Sequence, residues 1–351
     1  MEKGVSVKEL QGKFHKEYGA SVGGVGMAMQ DLPRIPTGVF PLDLAIGGGL
    51  PACRCTIIYG PESSNKTNLL LVAIARHQKH HPDRTCSVVD FEGLDPVWAA
   101  KLGVDMEKLG WFRPQYAEQA VDIVENLLYA EDCGIVGVDS LAMMGTQNEL
   151  ESSAEKAIVG GASSPIGKMC RKTARALMAA EIEGRTDVAL IYINQTRFKI
   201  GVMFGDPETM PGGNAPRFQV AMWIRVYGKN KLDPKVHKVM PVLKETTFVL
   251  KKWKVPIISP TGKFDMAMLP HKELQPGEVD DWNTISAYLK HYGQIQKADK
   301  KGWQILGEHY PTLEAFRSRL NQEQAFGDEV REALLKRVAQ DGLMAAIEEE
   351  E

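Results

Sequence analysis

Residues 60–67 have the pattern of a phosphate-binding loop with one departure. The pattern Gly-x-x-x-x-Gly-Lys-Ser/Thr is met at Gly60, Lys66 and Thr67, but Asn65 stands where the second glycine belongs. In such a loop backbone N–H groups bind phosphate oxygens, the lysine reaches the outer phosphates, and the hydroxyl is a ligand of Mg²⁺. If the departing position takes a positive φ, Asn is the residue after Gly that tolerates it best. The predicted phosphate-binding residues are Gly60, Pro61, Glu62, Ser63, Ser64, Asn65, Lys66 and Thr67.

The segments on either side of this loop fit a nucleotide site. Residues 55–59 are strand-like, and residues 69–75 continue helically from the lysine. A strand, a loop and a helix N-terminus together form an anion site. The alternative is a glycine-poor turn between a strand and a helix with no function. The agreement of the lysine, the threonine and both flanks favours the phosphate site.

Two acidic residues are candidates for the chemistry beside the phosphates. Asp139 ends an apolar strand at residues 135–139, a usual position for a carboxylate that supports Mg²⁺, although it could instead cap the next turn. The residue after it is Ser140 and not a glutamate, so a base must come from elsewhere. Glu92 follows the strand at residues 86–91, and ligands gather where parallel strands end. Glu92 is therefore the candidate base, with a surface carboxylate as the alternative.

Gln195 ends a further apolar strand and begins the irregular segment at residues 196–214. A polar side chain there could sense the γ-phosphate and pass its presence to the segment by an order–disorder switch. The alternative is an Asn194-Gln195 pair that only caps the strand. Long segments without regular structure are usually functional or mobile.

Three basic clusters surround the predicted site. Any one of them is more often a solvated face, but basic side chains around a nucleotide site favour a nucleic-acid partner. They are Lys168, Arg171, Lys172 and Arg175 on one helix face, Arg197 and Lys199 in the irregular segment, and Lys251, Lys252 and Lys254 around Trp253.

Composition is that of an ordinary globular chain: 351 residues, 44% hydrophobic and 25% charged, with a net charge of −3. The overall charge does not indicate nucleic acid, so basic patches must be local. The five cysteines are an odd number without a zinc-ligand spacing, which favours a reducing compartment. No apolar run approaches the roughly 18 residues of a membrane span, so we expect an intracellular, soluble protein.

Nearly continuous apolar strands separated by helices predict an α/β fold with a mostly parallel sheet covered by helices on both faces. A composition change after Pro270 predicts a small separate C-terminal domain. The expected organisation is an N-terminal helix and linker at 1–36, a core at 37–271, and a small α/β C-terminal domain with an acidic tail at 272–351.

These motifs resemble the RecA family of recombinases in order and spacing. The resemblance runs from about residue 5 to about residue 340. The segments that carry it are Gly60-Pro61-Glu62-Ser63-Ser64, Asp90-x-Glu92, Leu94-Asp95-Pro96, Lys101-Leu102-Gly103-Val104-Asp105, Ile193-Asn194-Gln195-x-Arg197-x-Lys199-Ile200-Gly201-Val202-Met203-Phe204-Gly205 and Gly212-Gly213-Asn214-Ala215. The departures, which include Asn65 and an Asn68 in place of a second threonine, indicate a diverged branch.

The resemblance implies a role for each matched residue. Lys66 and Thr67 bind phosphates and Mg²⁺, Asp139 supports the metal, Glu92 activates water and Gln195 senses ATP. Asn68, Asp95 and Trp98 belong to the ATP site, the last two near the adenine. Lys252 and Lys254 reach the ATP of a neighbouring subunit, and Arg217 and Phe218 lie at that interface. The resemblance also implies two DNA-binding loops, one before Ser164 and one at 196–213. With the basic helix face added, the predicted DNA-binding residues are Lys168, Arg171, Arg175, Arg197, Lys199, Ile200, Gly201, Val202, Met203, Phe204, Gly212, Gly213 and Asn214.

The implied activity is ATP-dependent strand exchange. A helical filament of the protein on single-stranded DNA pairs that strand with a homologous duplex, and ATP hydrolysis releases the DNA. ATP and Mg²⁺ are the implied cofactors, and a single-strand-binding protein and a loader the implied partners. The implied location is the cytoplasm, of the host if the chain is phage-encoded. Two other readings stay open: a ring-forming helicase or motor, and a nucleotide-gated coat for single-stranded DNA.

Overall fold

A computed structural model of the chain describes residues 5–19, 32–152, 163–198, 208–298 and 301–348. Side chains are described for all of these except Phe198 and residues 342–348. Six of the predicted DNA-binding residues, Lys199 to Phe204, lie outside the described residues, and so do the last three residues of the acidic tail.

The strands of the described chain alternate with helices through its first two thirds. In chain order they are β1 (Arg34–Ile35), β2 (Leu50–Pro51), β3 (Cys55–Gly60), β4 (Thr85–Asp90), β5 (Leu109–Phe112), β6 (Cys133–Asp139), β7 (Ala189–Gln195), β8 (Arg197–Phe198), β9 (Glu208–Thr209), β10 (Met222–Lys231), β11 (Leu243–Trp253), β12 (Thr261–Ala267), β13 (Val279–Asp280), β14 (Ile295–Lys297), β15 (Trp303–Ile305) and β16 (Glu308–Tyr310).

The helices include one of 15 residues that begins in the phosphate loop and one of 20 residues that precedes β7. In chain order they are α1 (Val7–Tyr18), α2 (Phe40–Ala45), α3 (Lys66–His80), α4 (Pro96–Lys101), α5 (Ala117–Tyr129), α6 (Gln147–Glu151), α7 (Ser163–Ile182), α8 (Ala215–Gln219), α9 (Trp282–His291), α10 (Leu313–Gln322) and α11 (Gln324–Glu348). Short 3₁₀ helices span Met106–Lys108 and Leu141–Met143.

Nine of the described strands form the main sheet, in the order β13-β12-β11-β10-β3-β7-β6-β4-β5. The six strands from β10 to β5 run parallel, and β11, β12 and β13 extend the sheet antiparallel beyond β10. The predicted α/β class with a mostly parallel sheet is confirmed. The continuous apolar runs have the predicted cause, because every residue of β3 and β6 is buried.

Helices cover both faces of this sheet. Leu69, Leu70 and Ile74 of α3 pack into one core with Ile58 and Ile224. On the other face, residues of α5 and α7 pack into a second core with β6 and β7. Since α3 begins at Lys66, the next-to-last residue of the phosphate loop, its buried apolar side chains fix the helix N-terminus against the edge of the sheet.

The carboxyl ends of four parallel strands meet at one edge. Asp90 pairs with Asp139 in register, and Gly60 pairs with Gln195. The phosphate loop follows β3, Glu92 follows β4, Asp139 ends β6 and Gln195 ends β7. Residues 215–219 form α8, and β10 starts after it, at Met222.

The C-terminal part of the chain packs around a third core. Ile285, Leu289 and Phe316 lie in it, together with Phe40 and Leu44 of α2. β14, β15 and β16 form a separate three-stranded sheet, while β13 pairs with β12 in the main sheet. The domain boundaries at residues 36 and 271 stay predictions. In the part of the chain that the structure describes, no helix is both long and apolar enough to span a bilayer.

Candidate active site

The phosphate loop joins the end of β3 to the first residue of α3. Asn65 has φ +81° and Ser63 has φ +55°, so the departing position does take a positive φ, which Asn tolerates best after Gly. Gly60 is required by a close approach, because a Cβ there would lie 2.2 Å from the carbonyl oxygen of Val226. The first N–H groups of α3 have no partner within the helix and can bind phosphate oxygens.

The side chain of Asn65 ties this loop to the antiparallel part of the sheet. Its Nδ2 donates to Oγ1 of Thr246 at 3.0 Å and approaches Sδ of Met266 at 3.4 Å. Its Oδ1 accepts from Nδ2 of Asn68 at 2.7 Å. Asn65 therefore does more than tolerate a positive φ, since its buried amide connects the loop to β11 and β12.

Lys66 is held over the loop by the loop itself. Its Nζ donates to the carbonyl oxygen of Pro61 at 2.7 Å and lies 3.5 Å from Oγ of Ser64. Burial lowers the pKa of Lys66, while the charges of Glu92 and Asp139 oppose that shift. An ammonium group in this position can exchange the carbonyl for a phosphate oxygen.

Thr67 and Asp139 meet as predicted. Oγ1 of Thr67 donates to Oδ2 of Asp139 at 2.6 Å. Burial raises the pKa of Asp139 to about 6, against the opposing effect of the Thr67 hydrogen bond. Its other oxygen, Oδ1, is buried and has no hydrogen-bond partner among the described residues.

This donor set fits Mg²⁺. The described residues contain no cluster of three or more His, Cys, Asp or Glu side chains that could hold a metal alone. Mg²⁺ in nucleotide sites is usually bound by one or two protein oxygens, phosphate oxygens and waters. The Thr67 hydroxyl and the unpartnered carboxylate oxygen of Asp139 are oxygens of that kind.

Glu92 is positioned by an aspartate two residues before it. Oδ1 of Asp90 accepts the backbone N–H of Glu92 at 3.0 Å and of Gly93 at 2.8 Å, and Oδ2 accepts that of Leu94 at 2.8 Å. These bonds fold the chain after β4 into a turn. Oε1 of Glu92 accepts from Oγ of Ser140.

Gln195 is brought to the same carboxylate. Its Nε2 donates to Oε1 of Glu92 at 3.0 Å. Its backbone N–H donates to Oδ1 of Asn194 at 2.9 Å, and Nδ2 of Asn194 donates to the carbonyl oxygen of Pro211 at 3.0 Å. The alternative reading, in which the pair only caps the strand, accounts for Asn194 but not for the Gln195 side chain.

The irregular segment after Gln195 is anchored at both ends near β7. β8 and β9 pair antiparallel, with Arg197 opposite Thr209. Gly212 and Gly213 have φ of +101° and +69°, and a Cβ on Gly212 would lie 3.0 Å from the Ile166 side chain of α7. Asn214 is the N-cap residue of α8, although its side chain makes no cap bond.

The basic residues of α7 divide into two groups. Lys168, Arg171 and Arg175 are exposed. Lys172 donates to Asp122 at 3.0 Å and also pairs with Glu125, both on α5. Lys172 therefore does not belong with the three exposed residues, because two acidic side chains of α5 neutralise its charge.

The structure places Asp95 and Trp98 beside α3 but not among the residues that line the cavity over the loop. Oδ1 of Asp95 accepts the N–H groups of Val97 and Trp98 at 2.9 and 3.2 Å and so caps α4. Nε1 of Trp98 donates to Oδ1 of Asn68 at 2.9 Å. Asn68 therefore joins the loop residue Asn65 to α4.

Lys252 and Lys254 lie away from the phosphate loop of their own chain. Lys252 pairs across the sheet with Trp223, which lies beside Ile57 in the first half of β3. Nζ of Lys254 donates to the carbonyl oxygen of Phe218 at 2.7 Å, and Lys252 donates to that of Arg217. Phe218 is 71% exposed, so the lysines, Arg217 and an apolar ring share one surface.

Comparison with known proteins decides the family. The model of the RecA N-terminal domain matches residues 4–266.

The chain belongs to the RecA family. Protein RecA of Bartonella quintana and of Bartonella henselae are each 42% identical to it over 194 residues, which are 55% of this chain and 54% of each relative. Protein RecA of Bartonella tribocorum is 41% identical over the same length. The aligned region spans about half the length of these curated relatives.

A crystal structure of the RadB recombinase has a TM-score of 0.48 to this RecA-family chain at 17% identity. That likeness covers 70% of this chain and 98% of the RadB chain.

Sequence reasoning missed four residues of this RecA-family site. Asp90 ends β4 two residues before Glu92, and Ser140 directly follows Asp139, so their positions at two strand ends were a usable signal. Lys244, which lines the cavity with Lys66 and Glu92, and Thr246 come from β11. No local pattern marks these two, because the pairing of β11 with β10 alone brings them to the loop.

Proposed function

We propose that this chain is a DNA-dependent ATPase that carries out homologous strand exchange. It forms a helical filament on single-stranded DNA, pairs that strand with a homologous duplex, and hydrolyses ATP to release the DNA. The observation that carries this proposal is the hydrogen bond from Gln195 to Glu92, since it joins the candidate base to the strand that leads into the β8–β9 segment. Family membership supports the same activity.

ATP binding follows from the loop geometry. The N–H groups at the start of α3 and the ammonium of Lys66 bind the phosphates. Thr67 and Asp139 hold the metal, and Mg²⁺ when bound neutralises charge on the phosphate oxygens during transfer. Asn68, Asp95 and Trp98 form the side of the site toward the adenine.

Hydrolysis uses Glu92 as the base. A carboxylate oxygen of Glu92 accepts a proton from a water molecule as the water oxygen forms a bond to the γ-phosphorus. The bond from that phosphorus to the bridging oxygen of ADP breaks, and inorganic phosphate and ADP leave. Asp90 orients the segment that carries Glu92, and Ser140 orients the carboxylate by its hydrogen bond.

The switch is a change of hydrogen-bond acceptor for the side-chain amide of Gln195. Nε2 of Gln195 donates to Glu92, and the oxygens of a γ-phosphate are charged acceptors that compete for the same donor. A turn of Gln195 toward the phosphate releases Glu92 and pulls on β8, which begins two residues later. ATP then favours the DNA-binding arrangement because it binds that arrangement more tightly than ADP does.

DNA contacts come from two surfaces close to this switch. The exposed residues Lys168, Arg171 and Arg175 of α7 and Arg197 of β8 bind phosphates of the strand. Residues 199–204 and the glycine turn before Asn214 complete the proposed loop.

Filament assembly uses the surface around Phe218. Lys252 and Lys254 contact the ATP of a neighbouring subunit, as an arginine finger acts in trans. Arg217 and the exposed ring of Phe218 pack in that interface. A single-strand-binding protein and a loader are the expected partners during assembly.

A strand-exchange gel with ATP, with ADP and without nucleotide tests this proposal, alongside phosphate release with and without single-stranded DNA. Joint molecules and stimulated hydrolysis are expected with ATP alone. Closed rings on DNA in electron micrographs would favour a motor. Binding to single-stranded DNA without hydrolysis or joint molecules would favour a coat.

A further inference from the structure

Lys244 reaches the phosphate loop from the antiparallel part of the sheet. It shares one face of β11 with Thr246 and Phe248, because side chains two apart on a strand point to the same side. Thr246 bonds to the loop residue Asn65, and Phe248 lies in the core. Lys244 is thus one step farther along a face that already contacts the loop, and it lines the same cavity as Lys66.

Gly228 makes room for this approach. A Cβ on Gly228 would lie 2.7 Å from the carbonyl oxygen of Ser63, 2.9 Å from Cα of Ser64, and 3.1 Å from Cε of Lys244. Any other residue at 228 would separate β10 from the loop. The glycine lets the end of the Lys244 side chain lie within contact distance of the segment that binds phosphate.

The charge of Lys244 is not neutralised by the described residues. None of them forms a hydrogen bond or ion pair with its ammonium group, whereas Lys231 on the neighbouring strand pairs with Glu245 and Asp265, both at 2.8 Å. Lys244 is half-buried, and burial lowers its pKa. A partly desolvated cation without a counterion is costly unless a ligand supplies the negative charge.

We infer that Lys244 is a second phosphate-binding lysine of the same subunit and contacts the polyphosphate of a nucleoside di- or triphosphate. The inference rests on the proposed function of the loop as a nucleotide site. β11 then supplies lysines to two sites: Lys244 near its beginning serves its own subunit, and Lys252 near its end serves the neighbour.

The test is the binding of Mg-ADP to the full chain without DNA, measured by calorimetry, so that contacts from a neighbouring subunit do not contribute. Lys244→Met should weaken binding about tenfold, because a charge-assisted hydrogen bond to phosphate is lost. Lys244→Arg should bind close to the parent. Lys263→Met is the matched control, since it removes the same charge from an exposed position on β12.

The stability of each chain against unfolding, measured without nucleotide, separates an effect of the substitution on binding from an effect on folding. Lys244→Met should be at least as stable as the parent, because it removes a half-buried charge. Equal Mg-ADP affinity in Lys244→Met, Lys263→Met and the parent would overturn the inference while leaving the nucleotide site intact. A parent chain that binds neither ADP nor ATP would overturn the proposed function itself.

Discussion

The side-chain amide of Gln195 donates a hydrogen bond to Oε1 of Glu92 at 3.0 Å. The two residues are 103 positions apart in the sequence. Glu92 lies two residues after the end of β4, and Gln195 is the last residue of β7. This bond connects the candidate base to the strand that leads to the proposed DNA loop. A change at either end of this connection should therefore alter hydrolysis or the response of DNA binding to ATP.

Glu92→Gln should abolish most ATP hydrolysis and leave ATP binding in place. The amide keeps an oxygen that can accept from Ser140 and Gln195, but it cannot take a proton from water. We expect turnover in the presence of single-stranded DNA to fall by about 100-fold or more, measured as phosphate release. Glu107→Gln, at an exposed position, is the control. Unchanged turnover in the Glu92→Gln chain would mean that another group is the base.

Asn65→Gly should lower stability, although glycine is the usual residue at that position of the loop. The substitution leaves Oγ1 of Thr246 and Nδ2 of Asn68 without their partner. We expect the free energy of unfolding to fall by about 1 kcal/mol, the usual value of a buried hydrogen bond. Urea denaturation of Asn65→Gly, Thr246→Val and the double variant measures it. Fully additive effects would show that the Asn65–Thr246 bond contributes nothing.

Asp43 should make stability fall as pH rises toward neutrality. It is buried, and burial raises its pKa from 3.8 to about 7, despite two hydrogen bonds from Thr37 and the charge of Arg76. Because the folded-state pKa is the higher one, the folded state holds the proton more tightly. The stabilisation is complete below the unfolded-state pKa and is lost between about pH 4 and pH 7.

Asp43→Asn should remove this pH dependence. A shift of this size corresponds to on the order of 4 kcal/mol across the interval. The variant should match the parent near the acid end and exceed its stability at about pH 8, as measured by urea unfolding. The exposed Asp83→Asn serves as control. Parallel pH profiles for parent and Asp43→Asn would refute the raised pKa.

Much of the site could be predicted because it lies at the carboxyl ends of parallel strands. Glu92, Asp139 and Gln195 each follow or end an apolar run in the sequence, and a parallel sheet brings such ends to one edge. The phosphate loop is continuous in the sequence, so its pattern needs no tertiary information. The mostly parallel sheet could also be predicted, because strands that are buried on both faces read as continuous apolar runs.

The parts of the site that could not be predicted depend on contacts between distant parts of the chain. Asn65 bonds to Thr246, 181 residues away, and that contact follows from the register of β11 on β10. Lys172 has the spacing of a basic helix face, but its side chain bonds to two acidic residues on α5. Neither partner can be chosen from local sequence, because many carboxylates and hydroxyls have equivalent local patterns.

Lys254→Ala should impair hydrolysis through a neighbouring subunit and not through its own loop. The variant alone should lose most DNA-dependent turnover while binding ATP like the parent. In an equal mixture with Glu92→Gln, about a quarter of the interfaces combine an intact base with intact lysines. Phosphate release by the mixture should therefore exceed that of either variant alone. A mixture no better than the mean of its components would place the lysines outside the site.

The most direct test of the central claim is the affinity for single-stranded DNA with and without ATP in the parent and in Gln195→Ala. We predict that ATP strengthens DNA binding by the parent about tenfold or more, measured by fluorescence anisotropy. It should have little effect on Gln195→Ala, which should still bind ATP. Gln296→Ala, at an exposed position of β14, should behave like the parent. An undiminished ATP effect in Gln195→Ala would contradict the account.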